Sequence, residues 1–120
     1  MELLAEALLV LHFIGLASLL GGFLVQVKDE TKVINMAMFH GVLTQLVTGI
    51  ALVGLAYPIH AADPAEPLPD NAKFGVKLVI LLVILGLVLA NRAKASISTA
   101  VWGAIGGLTV MNIVIAVFWN

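Results

Sequence analysis

The sequence contains no cysteine, which excludes disulfides, thiolate metal centres and iron–sulfur clusters. Charge is scarce as well. Asp, Glu, Lys and Arg together make up 11% of the 120 residues and nearly cancel, to a net charge of -1. No basic tract interleaved with aromatics exists, so nucleic acid is not an expected partner. The four prolines cluster at Pro58, Pro64, Pro67 and Pro69, so the remaining apolar runs have no helix breaker. Those runs dominate the chain. It is 62% hydrophobic with a mean hydropathy of +1.13, outside the range of a water-soluble domain.

A helix needs about 20 apolar residues to cross about 30 Å of hydrocarbon, and four such runs fit. They lie at about residues 3–27, 34–57, 72–90 and 97–119. The first begins MELLAEALLVLHFIG, acidic where a secretory signal is basic and longer than a signal's apolar region, so it reads as a retained span. The second is expected to stop at Pro58, ahead of an acidic, proline-rich loop. The fold expected is an all-α, integral membrane four-helix bundle, up-down-up-down, forming a single transmembrane domain with no room for a soluble catalytic domain.

Basic residues in the short loops set the orientation. Loops 28–33 and 91–96 hold Lys28, Lys32, Arg92 and Lys94, whereas the outer loop has no base before Lys73. Loops one and three are therefore expected in the cytoplasm and both termini outside the cell membrane. Small residues mark helix seams in lipid, because lipid tails compete equally for apolar side chains. Gly15, Ser18 and Gly22 form one stripe. Thr99, Gly103 and Gly107 form another, expected to pack inside the bundle, with a homo-oligomer or a larger membrane complex as the alternative.

An ionisable group at membrane depth costs at least about 2.5 to 3.5 kcal/mol, so each needs a partner or a purpose. Glu6, His12, Lys77 and Asn112 fall in the outer half and make a candidate cluster. His40, with Thr44 one turn on and Gln45 and Thr48 beside them, suggests an inner polar layer together with Gln26 and Asn91. Each has a plainer alternative: Lys77 snorkels to the headgroups, Glu6 is wet, and the histidines are neutral and bonded to a neighbouring carbonyl or threonine. His60, Asp63 and Glu66 recur every three residues, but Pro64 and Pro67 oppose a helix there, so they read as a solvated acidic loop.

Inward histidines in a four-helix bundle suit haem, since neutral imidazole ligates iron and the helices exclude water. His12 and His40 differ by roughly 8 to 10 Å in depth, so they do not share one iron. His12 and Lys77 share a level, with Lys77 as second ligand or as a counter-charge to a propionate. The run Leu11-His12-Phe13-Ile14-Gly15 with Gly21-Gly22, and Lys77 to Leu82 leading to Asn91-Arg92, resembles the four-span copper-resistance D (CopD-like) superfamily and its HemJ-type protoporphyrinogen oxidase relatives. The resemblance implies that His12 and Lys77 serve a haem b. The chain departs from the oxidases in lacking aromatic and basic residues from Ser18 to Gln26. It departs from copper carriers in having only His60 in its outer loop.

Three functions follow as expectations. The first is a haem b-binding redox or electron-transport protein, with His12 as the metal ligand, Lys77 and Asn112 beside the cofactor, and His40 and Thr44 lining an inner pocket. The second is a non-catalytic accessory subunit joined through Gly103 and Gly107. The third is a small channel or transporter, ranked last because no proline breaks a span at its middle.

Overall fold

A helix that is apolar on every side has no reason to fold against water, and all four helices of this chain are of that kind. The computed structural model describes residues 1–119. It contains α1 (Glu2–Leu24), α2 (Met36–Ala62), α3 (Asn71–Asn91) and α4 (Thr99–Phe118), each long and apolar enough to cross a membrane. The chain is an all-α, multi-pass membrane protein. The helices alternate in direction within an envelope of 52 × 23 × 22 Å, long enough to span a bilayer. Its outward face is apolar: Phe13, Val79 and Val117 are at least 60% exposed.

Short polar side chains fix where the helices begin. Asn35, Asp70 and Ser98 precede α2, α3 and α4 and accept hydrogen bonds from the backbone N–H of Met38, Lys73 and Val101 at 3.0, 3.1 and 3.1 Å. These caps account for starts one or two residues from the hydropathy boundaries. At the other end of α2, the helix runs through Pro58 to Ala62, past the expected stop. Proline removes one ladder bond, to Gly54, yet the turn beyond it is held by the Asp63 N–H on the Ile59 carbonyl at 2.9 Å. The cost falls on one bond near a helix end, which the following turn absorbs.

The helices form a ring in chain order, and the diagonal pairs α1–α3 and α2–α4 make no close approach. The tightest pair is α1 on α2. A Cβ at Gly15 would lie 2.7 Å from Thr44 Cγ2, and one at Gly41 would lie 2.8 Å from the Gly15 carbonyl oxygen. Ser18 donates to the Ala37 carbonyl at 2.7 Å in the same seam. The expected stripe on α1 is thus a backbone-to-backbone contact.

On α4 the outcome differs. No atom lies within 4 Å of a Cβ at Gly103 or Gly107, so they do not form the expected seam inside the bundle. Gly106 does that work instead, receiving the ring of Phe23 from α1. The helix turns Ile105, Gly106 and Thr109 inward, which rotates Gly103 and Gly107 away from α1.

Candidate functional site

At the end of the bundle that carries loops one and three, polar groups are consumed by local structure. Gln26 donates to the Gly22 and Val33 carbonyls at 3.0 Å each and accepts from the Val33 N–H at 2.8 Å. Asn91 donates to Leu87 O at 2.7 Å. Lys32, read from the sequence only as a loop charge, is buried. Its ammonium meets the carbonyls of Gln26, Val27 and Asp29 just past the end of α1 and lies 4.3 Å from the Trp102 ring centre. Trp102 in turn stacks on Phe23 at 4.3 Å and donates to its carbonyl at 3.2 Å. The Ile97 N–H bonds to the Lys32 carbonyl at 2.8 Å and ties the two loops together.

This end holds no inner pocket built on His40. Its side chain points outward and is exposed, tilted against Phe39 at 5.5 Å. Thr44 spends its methyl on the crossing with Gly15. The expectation that His40 and Thr44 line a pocket is therefore corrected: the helix turns that face partly to lipid and partly into the α1 seam.

The other half of the bundle is built differently. All four helices contribute to a cavity of about 190 Å³, partly open and mostly apolar, in which His12, Gln45, Lys77, Thr109 and Asn112 are the polar wall groups. Three of the expected outer residues, His12, Lys77 and Asn112, thus meet around one space. Glu6 does not, being exposed on the outside of α1.

His12 reaches the cavity from α1 with its Nδ1 2.8 Å from Thr48 Oγ1 on α2. Thr48 in turn donates to the Thr44 carbonyl at 2.6 Å. The imidazole edge faces Gly49, where a Cβ would stand 3.5 Å from Cε1. Turned with its NH2 toward α1, the Gln45 amide lies 3.1 Å from the His12 carbonyl and its oxygen 3.2 Å from the Leu16 N–H. Thr48 and Gln45, placed beside His40 by helical spacing, serve His12 instead.

On the opposite wall Asn112 donates from Nδ2 to the Lys77 carbonyl at 3.1 Å, joining α4 to α3. Its Oδ1 is buried with no hydrogen-bond partner among the described residues. Lys77 Nζ likewise forms no hydrogen bond or ion pair within the described residues, whereas Lys73, one turn outward, donates to Ala116 O at 3.0 Å. Thr109, absent from the sequence reading, lines the floor and donates to Ile105 O at 2.8 Å. Nothing in its apolar context marked it.

Away from the cavity, His60 Nδ1 is 2.6 Å from the Glu66 carbonyl and helps fold the acidic loop back on α2. The carboxylates of Glu2 on α1 and of Asp63 and Glu66 gather nearby, Glu2 and Asp63 exposed and Glu66 half-buried.

These features define a class: a four-span membrane bundle with a mostly apolar cavity between its helices that carries a few polar wall groups. No family model matches the sequence, and no curated protein or solved structure matches it.

Proposed function

We propose that the chain is a haem b-binding redox protein of the cell membrane, with His12 as the axial ligand. The observation that carries this reading is the convergence of His12, Lys77 and Asn112 on one intrabundle cavity, with Asn112 Oδ1 buried and unpaired among the described residues. The donor set fits a haem. One imidazole is held by Thr48 through Nδ1, one lysine with no partner among the described residues can face a carboxylate, and the walls are mostly apolar. The family resemblance of the His12 and Lys77 segments supports the same pair. A bound haem would supply one-electron chemistry. The chain's own residues hold the imidazole, exclude water with Leu46, Leu78 and Leu81, and set a positive charge or an amine at Lys77.

The loop charges support an orientation with both termini outside and loops one and three in the cytoplasm. A second reading, an accessory subunit of a larger membrane complex, is favoured by the open face at Gly103 and Gly107.

The test is a Soret band in the protein purified from haem-replete cells, and its loss in His12→Ala. The role of Lys77 separates under substitution. A propionate partner tolerates Arg and loses haem affinity with Met, whereas an axial ligand changes spin state with Met while haem is retained. His40→Ala leaves the spectrum unchanged. Protein without a Soret band overturns the haem assignment and leaves the accessory-subunit reading in front.

A further inference from the structure

We propose that Thr48 is a positioning residue that holds His12 with its proton on Nδ1, so that Nε2 meets the cavity ligand as an electron-pair donor. The inference rests on the reading of this cavity as a ligand site and adds what polarity of ligand it selects.

A hydroxyl has one proton to give. Thr48 spends it on the Thr44 carbonyl one turn back, at 2.6 Å, a common bond for threonine inside a helix. Only lone pairs of Oγ1 then face Nδ1 at 2.8 Å, and a contact of that length needs a proton, which the ring must supply. Nδ1 is therefore the donor and Nε2 carries the lone pair. Gln45 does not reverse this. Its amide nitrogen lies 2.8 Å from Nδ1 and 3.2 Å from Nε2, which places it over the face of the ring and off both in-plane lone pairs, while one of its two protons goes to the His12 carbonyl at 3.1 Å.

Among the described residues two acceptors thus border the cavity without an in-plane donor, His12 Nε2 and Asn112 Oδ1, beside the ammonium of Lys77, which has no partner there. The complementary ligand brings a Lewis-acidic metal centre or an O–H donor to His12 and an anionic or carbonyl oxygen to Lys77. A ligand that offers acceptors alone, such as the oxidised head of a quinone, satisfies only Lys77 and leaves His12 and Asn112 unpaired. The site discriminates against it.

The tautomer is readable without any cofactor. The full chain, cofactor-free, labelled with 15N in histidine and carrying His40→Gln and His60→Gln, has one imidazole left, and its spectrum is recorded in lipid nanodiscs at about pH 8.5, well above the ordinary range for histidine protonation. The expected spectrum has Nδ1 at a pyrrole-type shift and Nε2 at a pyridine-type shift. Thr48→Val should move both resonances toward the opposite tautomer or an average, and Thr48→Ser should restore them. A protonated Nε2 in the parent protein overturns the proposal, as does a Thr48→Val spectrum identical to the parent. Neither result bears on the Soret test: haem binding with the opposite tautomer refutes this inference alone, and the expected tautomer without haem refutes the cofactor alone.

Discussion

Replacing Gly41 by Ala tests whether the α1–α2 crossing is the rigid wall of the cavity. The added methyl would meet the Gly15 carbonyl oxygen and Leu19 Cα, both at 2.8 Å, and also the Leu19 backbone nitrogen, all of them backbone atoms that no rotamer change can move. Relief to ordinary contact at about 3.4 Å requires the helices to part by at least about 0.6 Å along a close-packed seam, and overpacking of this kind costs about 1 to 3 kcal/mol. That corresponds to a loss of about 5- to 160-fold in the folding equilibrium. Gly103→Ala is the matched control, because it adds the same methyl where nothing lies within 4 Å. Reversible unfolding of each variant in mixed micelles, followed by helical circular dichroism, measures the difference. Gly41→Ala should unfold at clearly lower denaturant and Gly103→Ala at the parental value. Equal stability of Gly41→Ala and the parent would refute the seam. An equal loss in Gly103→Ala would mean that the α4 face is covered in the monomer.

Other changes probe separate parts of the molecule. Lys32→Met removes the cation that three carbonyls and Trp102 share and should destabilise the bundle by about 1 to 3 kcal/mol, with the tryptophan emission changed; an unaltered unfolding midpoint would contradict its structural role. With no native cysteine in the chain, His60→Cys and Arg92→Cys can be labelled singly with an impermeant thiol reagent in intact cells. Only position 60 should react, and reaction of position 92 alone inverts the orientation. Asn112→Leu replaces the unpaired amide by an apolar group and should raise the stability of the cofactor-free protein or leave it unchanged, while weakening ligand binding; a large loss of stability would mean that the bond to the Lys77 carbonyl outweighs the orphaned oxygen.

Span number and the shared depth of His12, Lys77 and Asn112, though not the placing of Glu6 with them, were legible because both depend on features local to the sequence. A run of about 20 apolar residues commits to crossing, and the depth of His12, Lys77 and Asn112 follows from 1.5 Å per residue. What depth does not give is rotation. In a helix apolar all round, hydropathy carries no preferred face, so nothing in the pattern decided that His40 points outward while Thr48, two turns later, points to His12. The same ambiguity assigned the α4 seam to Gly103 and Gly107 when Gly106, next to Gly107, makes the contact. Lys32 escaped notice for a different reason. Loop lysines are ordinarily solvated, and only the return of loop three, through Ile97 and Trp102, buries this one.

The distribution of paired and unpaired polar atoms separates structural from functional burial. Gln26, Lys32 and Asn91, at the loop end, each close a bond that a helix terminus or a loop would otherwise leave open. Their cost of burial is offset where they stand. Asn112 Oδ1 has no such offset among the described residues, and an unsatisfied buried acceptor costs about 1 to 3 kcal/mol, more where the only solvent is hydrocarbon. A leucine there would cost nothing of the kind and would fill the cavity. A related cost falls on Lys77, half-buried in α3 with no anion beside it among the described residues. Two penalties thus fall together on the α3–α4 wall of one cavity, across from a histidine that Thr48 holds through Nδ1. A bundle selected for packing alone would have shed them, and a ligand carrying both a donor and an anionic oxygen would relieve them together.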